Sequence, residues 1–113
     1  MSDVSIHFDQ DGQLETYLKD HPTGVLLVRF GADWCTYCRM ADPVLEELGR
    51  TYHDKIKVIK VDIEGAEGDG EAYGVTGIPD VRIFKDGKFI GESLTGFPGR
   101  EAYDKVIKEA IGE

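Results

Sequence analysis

The most constraining feature of this sequence is the apolar run Val25-Leu26-Leu27-Val28-Arg29-Phe30, which lies between Gly24 and Gly31. A short apolar run without alternation is typical of a strand that is buried on both faces of an α/β sheet. Arg29 is the one charged residue of the run, so its guanidinium is predicted to be at least partly buried. A buried cation needs a carboxylate partner, because leaving it unpaired costs several kcal/mol.

Other strands and helices alternate with this run along the chain. Further strands are predicted at 4–8, 56–61, 81–84 and 89–94. Asp86-Gly87 is a strong signal for a two-residue hairpin turn. Helical spacing of apolar residues predicts helices around 14–18, 44–48 and 103–111. The glycine- and acid-rich segment 64–70 predicts a loop before a short helix near Glu71. The order predicts an α/β protein, one domain over residues 1–113, with a central mixed sheet flanked by helices.

Charge and hydropathy exclude several classes of partner. The formal net charge of −9 argues against binding to nucleic acid or to an anionic membrane. No apolar run approaches the ~20 residues that a membrane span needs. The N-terminal residues do not resemble a secretory signal, so we expect a cytoplasmic protein, or a periplasmic one if a leader has been removed.

The two cysteines of the chain, Cys35 and Cys38, could form a metal site, a structural crosslink or a redox pair. Structural zinc needs four ligands, and the three histidines show no ligand spacing, so no metal is expected unless two subunits share a site. A chain of 113 residues can bury a core without a crosslink. A redox pair fits best, because Cys35 follows a buried strand and opens a helix whose positive end favours the thiolate. Cys38 then lies one turn further on.

The sequence around these cysteines resembles thioredoxin and its relatives. Trp34-Cys35-Thr36-Tyr37-Cys38 is similar to the WCxxC motif, and Ile78-Pro79 is similar to the cis-proline pair of that family. Further matches are to the proline of the active-site helix, the hairpin turn, the glycine of the substrate groove and the lysine behind the active site: Pro43, Asp86-Gly87, Gly96 and Lys60. The resemblance covers nearly the whole chain and implies the thioredoxin fold, with helices on both faces of the sheet.

The resemblance also implies the roles of individual residues. Cys35 is expected to attack a substrate disulfide and Cys38 to resolve the mixed disulfide, so that the two form a reversible disulfide. The docking surface is expected to consist of Trp34, Thr36, Tyr37, Ile78, Pro79 and Gly96. Neither a metal nor an organic cofactor is implied. Expected partners are protein disulfides and an unidentified electron-donor reductase, for a monomer that acts as a protein-disulfide reductase.

Three positions depart from the family pattern. Thr36-Tyr37 replaces the usual Gly-Pro between the cysteines, Arg29 replaces a buried aspartate, and Asp80 replaces a common threonine. We expect Arg29 to pair with Asp80 on the neighbouring strand, with Lys60 nearby, and to favour the Cys38 thiolate. The alternative is that Arg29 extends to solvent from the end of its strand.

Two other functions are compatible with the sequence. The chain could be a periplasmic or membrane-tethered disulfide-exchange domain, which a leader or span in the genomic reading frame would reveal. It could also be a non-catalytic thioredoxin-like module that binds a partner or senses redox state. A disulfide-reduction assay separates that module from an enzyme.

Overall fold

A computed structural model describes residues 4–113 of the protein. The strands are β1 (Ser5–Phe8), β2 (Val25–Gly31), β3 (Ile56–Asp62), β4 (Asp80–Lys85) and β5 (Lys88–Thr95). The helices are α1 (Gln13–Asp20), α2 (Thr36–Thr51), α3 (Glu67–Ala72) and α4 (Arg100–Ile111). No helix among these residues is long and apolar enough to cross a membrane.

The strands form one sheet in the order β1-β3-β2-β4-β5. β1 and β2 both run parallel to β3, whereas β4 runs antiparallel to β2 and to β5. The predicted mixed sheet is therefore confirmed. β2 lies at its centre, and all seven of its residues are buried, as the uninterrupted apolar run predicted.

The pleat of the sheet divides the core into two layers. Alternate residues of a strand point to opposite faces, so Leu27 packs with α2 and α4 whereas Leu26 packs with α1. Leu45 and Ile107 fill the first layer and Leu14 the second. Helices thus cover both faces of the sheet, as predicted.

The hairpin between β4 and β5 turns at Asp86-Gly87, as predicted, with φ angles of 52° and 82°. Both values lie in the left-handed region, which glycine and aspartate tolerate better than most residues. The Asp86 carboxylate also accepts a hydrogen bond of 2.9 Å from the Gly24 backbone N–H. The turn is therefore tied to the start of β2.

One helix begins earlier than predicted. α3 starts at Glu67 and not near Glu71, so part of the expected loop is helical. The acidic residues Glu67 and Asp69 lie in its first turn, where negative charge is favourable. The Asp69 backbone N–H also donates to the Asp11 carboxylate at 3.0 Å, which satisfies a donor at this end of the helix.

Truncation of Ile107 tests the packing of α4 against the sheet. Ile107 is fully buried, so Ile107→Ala should lower the free energy of unfolding by about 2–5 kcal/mol through lost burial and a residual cavity. Urea denaturation measures this change. Lys105→Ala, at an exposed position of the same helix, should stay within about 0.5 kcal/mol of the parent. Equal losses in the two variants would contradict the packing described.

Candidate active site

Three chain segments converge at one end of the sheet, where the strands meet the loops. β2 ends there at Gly31, β4 begins there at Asp80, and β5 ends there at Thr95. Phe30 pairs with Asp80, and Asp80 pairs with Thr95. The residues that follow β2, precede β4 and follow β5 therefore meet around the start of α2.

Cys35 is the N-cap residue of α2, as expected of a cysteine that opens a helix. Its Sγ accepts a hydrogen bond of 3.3 Å from the Cys38 backbone N–H. Both cysteines are free thiols, and their exposed fractions are 6% for Cys35 and 1% for Cys38. A sulfur that accepts an N–H bond at the positive end of a helix is in the setting that stabilises a thiolate. Cys35 therefore lies at the N-terminal end of α2 with its sulfur bound to a main-chain N–H.

The environment of Cys38 favours its neutral form. Burial, followed by the side-chain hydrogen bond with Cys35, raises the pKa of the Cys38 thiol to about 12, while Arg29 acts in the opposite direction. At neutral pH Cys38 is accordingly a thiol. It must lose its proton before it can act as a nucleophile.

Exposed side chains surround the cysteine pair. Trp34 is 64% exposed, and Thr36 and Tyr37 are also exposed. Met40, one helical turn after Tyr37, extends this apolar surface. Met40 was not predicted, although the spacing of three residues from Tyr37 places it on the same helix face.

The remaining predicted docking residues lie in the loops at this end of the sheet. The Ile78–Pro79 peptide bond is cis, as predicted. The Gly96 N–H donates to the Pro79 carbonyl at 3.0 Å, which joins the loop before β4 to the end of β5. Within the part of the chain that the structure describes, the main chain of Ile78 has no hydrogen-bond partner. Ile78 could therefore pair with an extended peptide.

Arg29 does not pair with Asp80, and that prediction was wrong. Its guanidinium binds Asp42 of α2 through two hydrogen bonds, of 3.0 Å from Nε and 2.9 Å from Nη2. The cause is the pleat, since Asp80 lies opposite Phe30 and Arg29 lies opposite Val81. Arg29 and Asp80 thus point to opposite faces of the sheet. Arg29 is buried, so it does not extend to solvent either.

Asp80 has a different partner on its own face. Arg82 donates to both of its carboxylate oxygens, at 2.9 Å and 3.1 Å. The Arg82 guanidinium also lies 5.3 Å from the ring centre of Phe30 and 5.0 Å from that of Phe89, within cation–π range. Asp80 therefore belongs to a buried cluster on the α1 side of the sheet and not to the surroundings of Cys38.

Lys60 lies beside Arg29, as expected. The two residues are register partners in β3 and β2, and the Lys60 ammonium pairs with Glu46 of α2 at 2.9 Å. Cys38, Asp42 and Glu46 follow one another at intervals of four residues on α2, so they share one helix face. Sequence reasoning missed Asp42 and Glu46, although this spacing was the signal that could have identified them.

Known proteins similar to this chain point to one family. The family model for thioredoxin matches residues 5–109. The chain belongs to the thioredoxin family. Thioredoxin of Bacillus subtilis is 35% identical over 97 residues, which cover 86% of this chain and 92% of the relative.

Solved structures agree with this assignment. A point mutant of thioredoxin from Halobacterium salinarum has a TM-score of 0.82 and 30% identity over 96% of this chain and 92% of its own. Reduced thioredoxin pre-protein of Schistosoma mansoni has a TM-score of 0.85 and 31% identity over 95% of this chain and 98% of its own. The thioredoxin fold is therefore confirmed. Together with the Cys35/Cys38 pair, the family supports a thiol–disulfide oxidoreductase.

The two thiols should differ in their reaction with an alkylating agent. In reduced protein at neutral pH, iodoacetamide should label Cys35 first, because the pKa of Cys38 is raised to about 12 by burial and by its bond with Cys35 and the thiolate is the reactive form. Peptide mapping after partial labelling measures the order. Cys35→Ser and Cys38→Ser, each with one thiol, serve as matched controls. Faster labelling of Cys38 would reverse the assignment of the nucleophile.

Proposed function

We propose that this thioredoxin-family protein is a protein-disulfide reductase in which Cys35 attacks the substrate and Cys38 resolves the mixed disulfide. The observation that carries the proposal is the asymmetry of the pair. The Cys35 sulfur accepts an N–H bond at the start of α2, whereas the Cys38 thiol is held neutral by burial. Disulfide exchange needs one thiol that attacks the substrate disulfide and a second thiol that reacts only after the mixed disulfide has formed.

The apolar surface around the cysteines supports a protein substrate. Trp34, Tyr37 and Met40 are exposed large side chains in a strongly acidic protein. Thr36 and Gly96 border the same site, and extended peptide could add to the free main chain of Ile78 next to Pro79. We place the reaction in the cytoplasm, where thiols are kept reduced. The protein acts as a monomer, and a separate reductase returns it to the dithiol form.

Insulin reduction by dithiothreitol tests the proposed activity. The parent protein should accelerate precipitation of the insulin chains, and Cys35→Ser should return the rate to that of dithiothreitol alone, because the attacking sulfur is gone. Cys38→Ser should accumulate mixed disulfides with substrate proteins, since no second thiol resolves them. A non-catalytic binding module would not exceed the uncatalysed rate in any of the three forms.

The direction of electron flow has its own measurement. Equilibration of the Cys35–Cys38 couple with glutathione gives its reduction potential. A reductase should lie near the value of about −270 mV that is typical of thioredoxins, and not near the value of about −120 mV that marks a strong oxidant. A value near about −120 mV would contradict the proposed reductase and would indicate a protein that donates its disulfide to substrates.

A further inference from the structure

The guanidinium of Arg29 is held in a fixed orientation behind the cysteines. Nε and Nη2 donate to the two carboxylate oxygens of Asp42 at 3.0 Å and 2.9 Å. Nη1 takes no part in that pair and lies 3.4 Å from the Val61 carbonyl oxygen. A bidentate pair fixes both the position and the plane of the guanidinium. The third nitrogen is therefore presented in a direction that the pair determines.

Gly31 shows what this third nitrogen faces. A methyl carbon added at Gly31 would lie 2.8 Å from Arg29 Nη1 and 2.8 Å from Cys38 Sγ. Real contacts of this kind are not that short, so any larger residue would push the nitrogen, the sulfur or both away. Gly31 thus leaves a space that both the guanidinium and the Cys38 sulfur border.

The resolving step needs help at Cys38. The pKa of this thiol is raised to about 12, chiefly by burial, and its neighbours include few groups that could assist. Cys35 faces it from α2, a main-chain hydrogen bond with Ala32 lowers its pKa, and the charge of Arg29 on β2 lowers the pKa further. Tyr103 approaches from α4, but burial raises its own pKa to about 12, so it stays neutral. Arg29 is therefore the cation available to a developing negative charge on Cys38.

We propose that Arg29 stabilises the Cys38 thiolate during the resolving step, with Asp42 as the positioning residue that holds the guanidinium and Gly31 as the gap that admits it. The inference rests on the proposed function of the cysteine pair. In this step Cys38 loses its proton and its sulfur bonds to Cys35 Sγ. The bond between Cys35 and the substrate sulfur breaks, and the substrate thiolate leaves and takes up a proton. The two electrons thus pass from the cysteine pair to the substrate disulfide.

Asp42 does not serve as the proton acceptor in this proposal. Both of its oxygens already accept hydrogen bonds from Arg29, and arginine keeps its charge throughout the working pH range. The Asp42 carboxylate thus holds the Arg29 guanidinium in position. Its removal should slow the resolving step less than the removal of Arg29 does, because the positive charge near Cys38 would remain but would no longer be held in one orientation.

Stopped-flow reaction of the reduced protein with the aromatic disulfide DTNB separates the two steps. Attack by Cys35 releases one coloured thiolate, and resolution by Cys38 releases a second. Arg29→Met should leave the first phase unchanged, slow the second at least about threefold and move its pH profile to higher pH. Each unit of increase in the pKa of the attacking thiol slows exchange about three- to fourfold, because lost thiolate outweighs gained nucleophilicity.

Three variants control this experiment. Arg29→Lys keeps the charge and should restore most of the second-phase rate, whereas Asp42→Asn should slow the second phase less than Arg29→Met does. Arg82→Met removes the other buried arginine, which has the same exposed fraction of 6% and also pairs with a carboxylate, but on the opposite face. It should leave the pH profile of the second phase in place. Thermal unfolding of each variant shows whether lost stability accompanies a change in rate.

The outcomes distinguish the proposals. An unchanged second phase in Arg29→Met would overturn the role of Arg29, and so would an equal shift in Arg82→Met. A slow second phase in Asp42→Asn, with Arg29→Met unaffected, would make Asp42 the proton acceptor instead. Loss of the first phase in the parent protein would overturn the proposed function itself, whatever the variants do.

Discussion

The burial of β2 on both faces and both edges is the constraint on which the rest of this structure depends. β3 and β4 form hydrogen bonds with the main-chain N–H and C=O groups of β2 on either side, and all seven residues of β2 are buried. A strand held in this way cannot shift its register without moving side chains between the two core layers. Its carboxyl end is therefore a fixed platform, and the loop from Gly31 to Cys35 begins there.

The same burial decides how the charges are arranged. Arg29 is buried in the central strand, and Asp42 of the covering helix supplies the carboxylate that pairs with it. Arg82 is also buried, on the other face of the sheet, and its carboxylate partner is Asp80. Two arginine–carboxylate pairs thus lie on opposite faces of the sheet; Arg82–Asp80 is buried, whereas the Asp42 side chain of the other pair is 25% exposed. Buried pairs of this kind are weak evidence for stability, so the position of Arg29 beside Cys38 calls for a functional explanation.

Much of the fold could be predicted from the sequence because its signals are local. The apolar run of β2, the Asp86-Gly87 turn and the spacing of Tyr103 and Ile107 each depend on neighbours a few residues away. The partner of Arg29 is a different kind of question, because it depends on which face each residue of two paired strands occupies. Register with β4 places Arg29 opposite Val81, and a shift of one residue would have reversed the answer. The spacing of Asp42 from Cys38 showed that the two share a helix face, but the pairing with Arg29 also depends on which face of β2 packs against that helix.

The arginine at position 29 also changes what this site can do with a proton. A carboxylate there could accept the proton of Cys38, but a guanidinium cannot, because it remains charged. The proton must instead reach the departing substrate thiolate or the solvent. A cleft of about 260 Å³ lined partly by Arg29, Lys60 and Asp62 opens behind the sheet edge, so the cation lies close to a polar surface. Since its charge does not vary with pH, Arg29 adds no titration of its own to the second step, whereas a buried carboxylate at position 29 would add one.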